Sequence, residues 1–189
     1  NEALMDVITR ETRKLGFDNC SFGVQLPSTN PQIFIFDNYT PQWRAQYQAE
    51  GYLSVDPVVA HGLRTVLPLV WSEEMFAQNP TFWGDAQAHG LHTGWAQSCF
   101  NAQGVGGLLT LSRSNNTLSK AELAAHSAQL TELTQAAHEC FAIRLMMQQA
   151  PEFIEPLHPR EREVLLWVIE GKTAAETATL LNLKERTSN

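Results

Sequence analysis

Residues 94–112 read GWAQSCFNAQGVGGLLTLS. Two β-type runs, Gly94–Phe100 and Gly107–Ser112, flank the Gly-rich turn Ala102–Gly106, which predicts a pair of joined strands. Alternation along the second run puts Leu108, Thr110 and Ser112 on one face. Directly after it, Ser119 to about Gln148 holds neither Gly nor Pro. Leu123, Leu130, Leu133, Ala137, Cys140 and Phe141 fall there at intervals of three, four or seven. That spacing predicts a long amphipathic helix, roughly 45 Å at 1.5 Å per residue, packed on the sheet.

Working outward to the N-terminus, Leu4, Val7, Ile8 and Leu15 have helical spacing, and Gly16 is a natural stop. Cys20–Leu26 and Ile33–Phe36 read as an antiparallel hairpin. Between the two strand pairs lie short helices: one from Pro41, carrying Trp43 and Tyr47 four apart, one opened by Asp56-Pro57, then Glu73–Phe76 and Thr81–His89. Val66–Trp71 reads as extended. Helices at both ends with antiparallel strands grouped between them place the chain in the α+β class, as an α-β-α sandwich around a central antiparallel sheet.

Composition agrees with a packed domain. The chain has 189 residues, 43% of them hydrophobic, with five Trp and nine Phe to bury, so disorder is not its dominant state. No apolar run approaches the ~20 residues of a membrane span, and Asn1 to Gly16 is amphipathic rather than a signal peptide. Cys20, Cys99 and Cys140 are odd in number and far apart, which fits a reducing, cytoplasmic setting. His89 and His92 stand three apart, but Gly90 separates them and no acidic partner follows, so neither a metal nor a cofactor is expected. The net charge of −7 falls on residues 1–156, with 8 basic and 15 acidic residues; residues 157–189 hold five of each. An acidic body does not attract nucleic acid, so any DNA contact belongs to the tail.

Pro151 and Pro156 break the long helix, and 150–157 reads as a linker between a domain at 1–149 and a small one at 158–189. The latter reads HPREREVLLWVIEGKTAAETATLLNLKERTSN. Pro159 starts a helix striped by Val164, Leu165, Val168 and Ile169. Gly171 ends it, and Thr173 with Glu176 forms a capping box for a second helix. A third begins near Lys184. Spacing alone also fits a plain helical cap; as a functional unit it reads as a partial helix-turn-helix.

Residues 159–165, 170–173 and 183–187 resemble the DNA-binding domain of the LuxR family of quorum-sensing regulators. Asn38-Tyr39, Trp43, Tyr47, Val55-Asp56-Pro57, Pro68-Leu69-Val70-Trp71 and Gly94 resemble that family's acyl-homoserine-lactone-binding domain. The resemblance spans essentially the whole chain. The tail departs from the pattern at His158, Thr177, Lys184 and Ser188.

The resemblance implies an uncharged N-acyl-homoserine lactone as ligand. It implies that Trp43 donates to the lactone carbonyl, that Asp56 accepts from the amide N–H, and that Tyr39 and Thr110 donate to the amide carbonyl. These roles agree with the donor and acceptor capacities of the groups. Tyr47 joins them, and Trp71 lines the ring end. The acyl tail is expected to meet Ile33, Ile35, Val58 and Val59, then Phe82, Trp83, Ala86 and Leu91. The bulk of Leu108 and Trp83 points to a short or medium tail. Arg44 either reaches a 3-oxo group through water or is a solvated helix residue. Each site residue also has a structural reading: Asp56 as N-cap, Trp43, Tyr47 and Trp71 as core, Thr110 as strand former.

The function implied is a ligand-dependent transcription regulator, homodimeric, with Lys184, Arg186 and Thr187 facing DNA. The alternative is a truncated member that binds ligand, or heterodimerises with a full-length relative, without contacting DNA. A chain ending at Asn189 is expected not to bind DNA specifically, because its recognition helix is short. Lactone hydrolysis calls for a metal or an activated nucleophile, and no pattern supplies one.

Overall fold

The computed structural model describes residues 2–27, 32–149 and 158–181. The chain divides into two compact units, Asn1–Gln148 and Gln149–Asn189.

The first unit runs α1 (Glu2–Lys14), β1 (Asn19–Gln25), β2 (Ile33–Asp37), α2 (Pro41–Ala49), a single tight turn at Tyr52–Ser54, α3 (Pro57–Gly62), β3 (Leu69–Val70), α4 (Glu73–Phe76), α5 (Pro80–Ala88), β4 (Thr93–Phe100), β5 (Gly106–Arg113) and α6 (Lys120–Gln149). Its five strands form one sheet in the order β2-β1-β5-β4-β3, and every neighbouring pair is antiparallel. Of the extended stretch expected at 66–71, only Leu69–Val70 pairs as a strand, and Trp71 N–H continues the contact to Gly94 O at 2.9 Å.

The sheet has two apolar faces. Cys20, Phe22 and Val24 of β1, all fully buried, point to the α1 and α6 side. Phe141 of α6 is fully buried and stacks on Phe22 and Phe36, with ring centroids 5.4 and 4.3 Å away. The buried face of α6 follows Leu130, Thr134, Ala137, His138, Phe141, Ala142, Leu145 and Met146. Cys140 is exposed, although its interval fitted the stripe. It lies about 100° round the helix from Phe141, which turns it off the sheet.

Arg113 ties the end of β5 to the first turn of α6. Its guanidinium donates to both Glu122 carboxylate oxygens, at 2.6 and 3.0 Å, and to the carbonyls of Gly16, Asn116 and Thr117. Those contacts hold the Glu122 carboxyl below its ordinary range. Five donors in a fixed fork make Arg the residue suited to such a junction.

In the second unit, α7 (Pro159–Ile169) and α8 (Ala174–Leu180) form as expected. Thr173 and Glu176 exchange capping hydrogen bonds of 3.3 and 2.8 Å. His158 gives no side-chain cap, and Glu161 instead accepts the His158 N–H at 2.8 Å. Thr177 is buried, and its hydroxyl has no partner among the described residues. A hydroxyl thus occupies a core position of α8, where its desolvation opposes folding. The linker at 150–157, and Lys184, Arg186 and Thr187, lie outside the described residues.

Phe141→Ala removes the ring that joins α6 to β1 and β2. It is expected to destabilise the first unit by ~3–5 kcal/mol. Urea unfolding followed by circular dichroism measures this. A loss under ~1 kcal/mol would mean that α6 is not docked on the sheet as described.

Candidate functional site

The other face of the sheet looks onto α2–α5, and between them is a cavity of about 600 Å³. Its walls are largely apolar: Trp43, Tyr52, Val58, Phe76, Phe82, Ala86, Leu91 and Ala96 form one buried cluster beside it. The aromatic rings hold one another. Trp43 meets Tyr47 edge-on at 5.7 Å and Phe82 nearly parallel at 6.2 Å, and Phe76 stacks on Trp83 at 4.2 Å. Offset and edge contacts of this kind fix ring orientation beyond simple burial.

Polar groups enter this wall at few points. Asp56 is the N-cap of α3: its Oδ1 accepts the Val58 N–H at 2.8 Å, and Pro57 takes the first helical position. Its Oδ2 accepts the Tyr47 hydroxyl of α2 at 2.9 Å. Burial drives the Asp56 carboxyl above its ordinary range, against those two hydrogen bonds, which favour the anion. Burial also raises the phenols of Tyr39 and Tyr47, so both remain neutral donors at neutral pH.

Trp71 lies against the sheet at Gly94, where a Cβ would come within 2.3 Å of the indole; only glycine admits this approach. The Trp71 indole N–H is buried without an acceptor among the described residues. Trp43 is buried too.

All fourteen residues expected at a ligand site line this one cavity: Tyr39, Trp43, Tyr47, Asp56, Trp71 and Thr110, together with the eight expected around the tail. The structural reading of Asp56 holds: one oxygen caps α3, and the other accepts the Tyr47 hydroxyl. Arg44 also lines the cavity, but it is held. Its Nε sits 2.8 Å from Asp37 Oδ1, and its guanidinium donates to Tyr39 O at 2.7 Å. Asp37 Oδ1 in turn accepts the Tyr39 N–H at 3.0 Å. Asp37 and Arg44 therefore fix the backbone that carries the Tyr39 phenol.

Sequence reasoning did not find Asp37, Ser21, Gly23, Gln25, Phe76 or Phe100 in the lining. Strand alternation was the available signal for four of them. Asp37 shares a face with Ile33 and Ile35, and Ser21, Gly23 and Gln25 share one along β1.

Comparison with known proteins bears on this arrangement. The autoinducer binding domain family matches residues 1–141. The chain is similar to the transcriptional activator protein AnoR of Acinetobacter nosocomialis, with 37% identity over 192 residues, covering 100% of this chain and 81% of that protein. Among solved structures it resembles Escherichia coli SdiA in complex with octanoyl-rac-glycerol, with TM-score 0.74, 27% identity, and 97% of this chain and 75% of that one covered. It also resembles the N-acylhomoserine lactone dependent LuxR family transcription factor CepR2 of Burkholderia cenocepacia, with TM-score 0.66, 30% identity, and 73% and 82% covered. With this fold, this cavity and these relatives, the chain belongs to the autoinducer-binding, LuxR-type family of quorum-sensing transcriptional regulators.

Proposed function

We propose that the cavity binds an N-acyl-homoserine lactone and that its occupancy controls transcription through a helix-turn-helix that includes α7 and α8. The observation that carries this reading is the pairing of one buried carboxylate acceptor, Asp56, with two indole donors, Trp43 and Trp71, in a single apolar cavity. A neutral ligand with one N–H and separate carbonyls answers that set. Asp56 takes the amide N–H, Trp43 donates to the ring carbonyl, and Tyr39 and Thr110 donate to the amide carbonyl. Trp71 covers the ring end. The guanidinium nearest the cavity is already engaged by Asp37, so nothing here calls for an anionic ligand.

A second reading has its own support. SdiA has been solved with octanoyl-rac-glycerol. A glycerol hydroxyl can donate to Asp56, and an ester carbonyl can accept from Trp43. Head-group preference at equal chain length separates the two.

The site is a receptor rather than a catalyst in this reading. Cys99 points to the α6 side, with its sulfur 3.8 Å from Thr134 O, and burial pushes its thiol up to about 12. It is therefore a poor nucleophile. The protein acts in the cytoplasm as a homodimer, or as a heterodimer with a related regulator. The exposed Ile143 and Met147 of α6 supply apolar surface for that contact.

Asp56→Ala is expected to weaken lactone binding by ~1–3 kcal/mol, because the ligand N–H is then buried without an acceptor. Trp43→Phe, which deletes a donor, is expected to lose a similar amount. Calorimetry showing wild-type affinity in both variants would place the lactone elsewhere. In the unmutated chain, lactone at ~100 times its Kd is expected to add about 2.7 kcal/mol of stability, visible as a higher Tm. No shift with any lactone would end the lactone reading.

Affinity should also depend on pH, with the sign set by Asp56. A donated N–H favours the anion, so binding is strongest above the raised pKa of the free protein and weakens as pH falls through it. Asp56→Asn should flatten that profile. An unchanged slope would mean another group titrates.

A further inference from the structure

On the cavity face the sheet register makes three rungs. The first is Asp37, Ser21, Thr110 and Ala96; the second is Ile35, Gly23, Leu108 and Ser98; the third is Ile33, Gln25, Gly106 and Phe100. The polar groups of the proposed head site lie near the first rung. The second and third run toward the more open end of the cavity.

Leu108 is the bulky residue in the middle, and by itself it would stop a long chain. Its side chain leans on α3, since a Cβ added at Gly62 would lie 2.8 Å from its Cδ1. Beside it, above Gly23, the floor is bare. An added Cβ there would meet only Ile33 Cγ2, at an ordinary 3.8 Å. Glycine inside a strand weakens it and often marks close approach by another group. At the far rung Gly106 is overlain by the Phe100 ring, whose Cε1 is 2.9 Å from where its Cβ would be. Phe100 is 50% exposed although it lines the cavity, and Leu63 beside the opening is 54% exposed. Trp43, Phe82 and Leu91, by contrast, are nearly inaccessible.

From Thr110 to Gly106 is four residues, or about 13 Å along an antiparallel strand. An extended carbon chain with bonds and angles like those of the backbone advances about 1.25 Å per carbon, so about ten or eleven carbons span the trough. Resting on the acyl-ligand reading above, we propose that the cavity takes a linear acyl chain of about ten to twelve carbons, laid over Gly23 and ending against the Phe100 ring that covers Gly106, so that Phe100 sets the upper length.

The test is a series of unsubstituted N-acyl-homoserine lactones, from butanoyl to hexadecanoyl, titrated by calorimetry into the full chain and two variants. In the unmutated chain affinity should rise by about fourfold per covered methylene and level off near dodecanoyl. Gly23→Val puts a strand-forming side chain in the trough. It should lower decanoyl and dodecanoyl binding by more than about tenfold and leave butanoyl within about threefold. Phe100→Ala should move the optimum to longer chains without weakening short ones. Tightest binding of butanoyl or hexanoyl overturns the proposal. So does an equal loss at every length in Gly23→Val at unchanged Tm, or an unmoved optimum in Phe100→Ala. Should no lactone bind, the head-group reading falls by itself, and the same length series as monoacylglycerols decides the tail. No length dependence in that series overturns the proposal as well.

Discussion

Asp56 is a carboxylate that the fold cannot leave unpartnered. In a region of low polarity each of its oxygens needs a donor, and those donors come from different elements. The Val58 N–H starts α3, and the Tyr47 hydroxyl comes from α2. One side chain thereby sets the position of two helices over the sheet. Tyr47 also packs edge-on against Trp43, so the orientation of that indole follows from the same contact. Asp37 has a matching role at the end of β2, where it joins Arg44 to the backbone of Tyr39. The polar points of the cavity are held from behind, which lets its surface stay apolar in front.

The sheet divides two demands. On the α6 side its residues are large and fill space: Phe22, Val24, Leu109 and Leu111 are fully buried. On the cavity side the same strands carry Ser21, Gly23, Gly106 and Thr110. Period-two alternation lets one backbone serve both, because neighbouring residues never share a face. The core that holds the fold is thus separate from the wall that meets a ligand. Residues on the cavity face are small where space is needed, while the opposite face is packed densely.

Local chemistry made much of this legible in the sequence. Asp56-Pro57 announces a helix start, Trp43 and Tyr47 are a one-face pair, and Ile33 and Ile35 alternate. The residues picked on those grounds and on family resemblance share one cavity. What escaped is long-range. Nothing in the spacing of Tyr47 and Asp56 says that they bond, and nothing in Asp37 says that Arg44, on another element, will hold it. Strand order escaped too, since alternation gives each strand two faces but names no neighbour; β1 pairs with β5 across most of the chain. Cys140 fell on the wrong side because an interval rule does not locate the edge of a stripe. Phe100 was not singled out because an aromatic at a strand end has a core reading by default.

The carboxylate that orders the site also weakens the empty fold. Burial raises the Asp56 pKa, so the folded state holds its proton to higher pH than the unfolded chain does. That contribution to stability is complete below the unfolded pKa and is lost as pH rises through the folded one. In the empty protein the buried carboxyl therefore carries a desolvation cost that the Val58 N–H and the Tyr47 hydroxyl offset only in part. An occupant that brings a third donor offsets some of that cost, and its apolar tail covers wall that is otherwise only lined. Binding and folding then draw on the same contacts around α2 and α3. On the proposed reading, no separate transmission device is needed at the head group, because the groups that would meet the ligand are those that hold the helices.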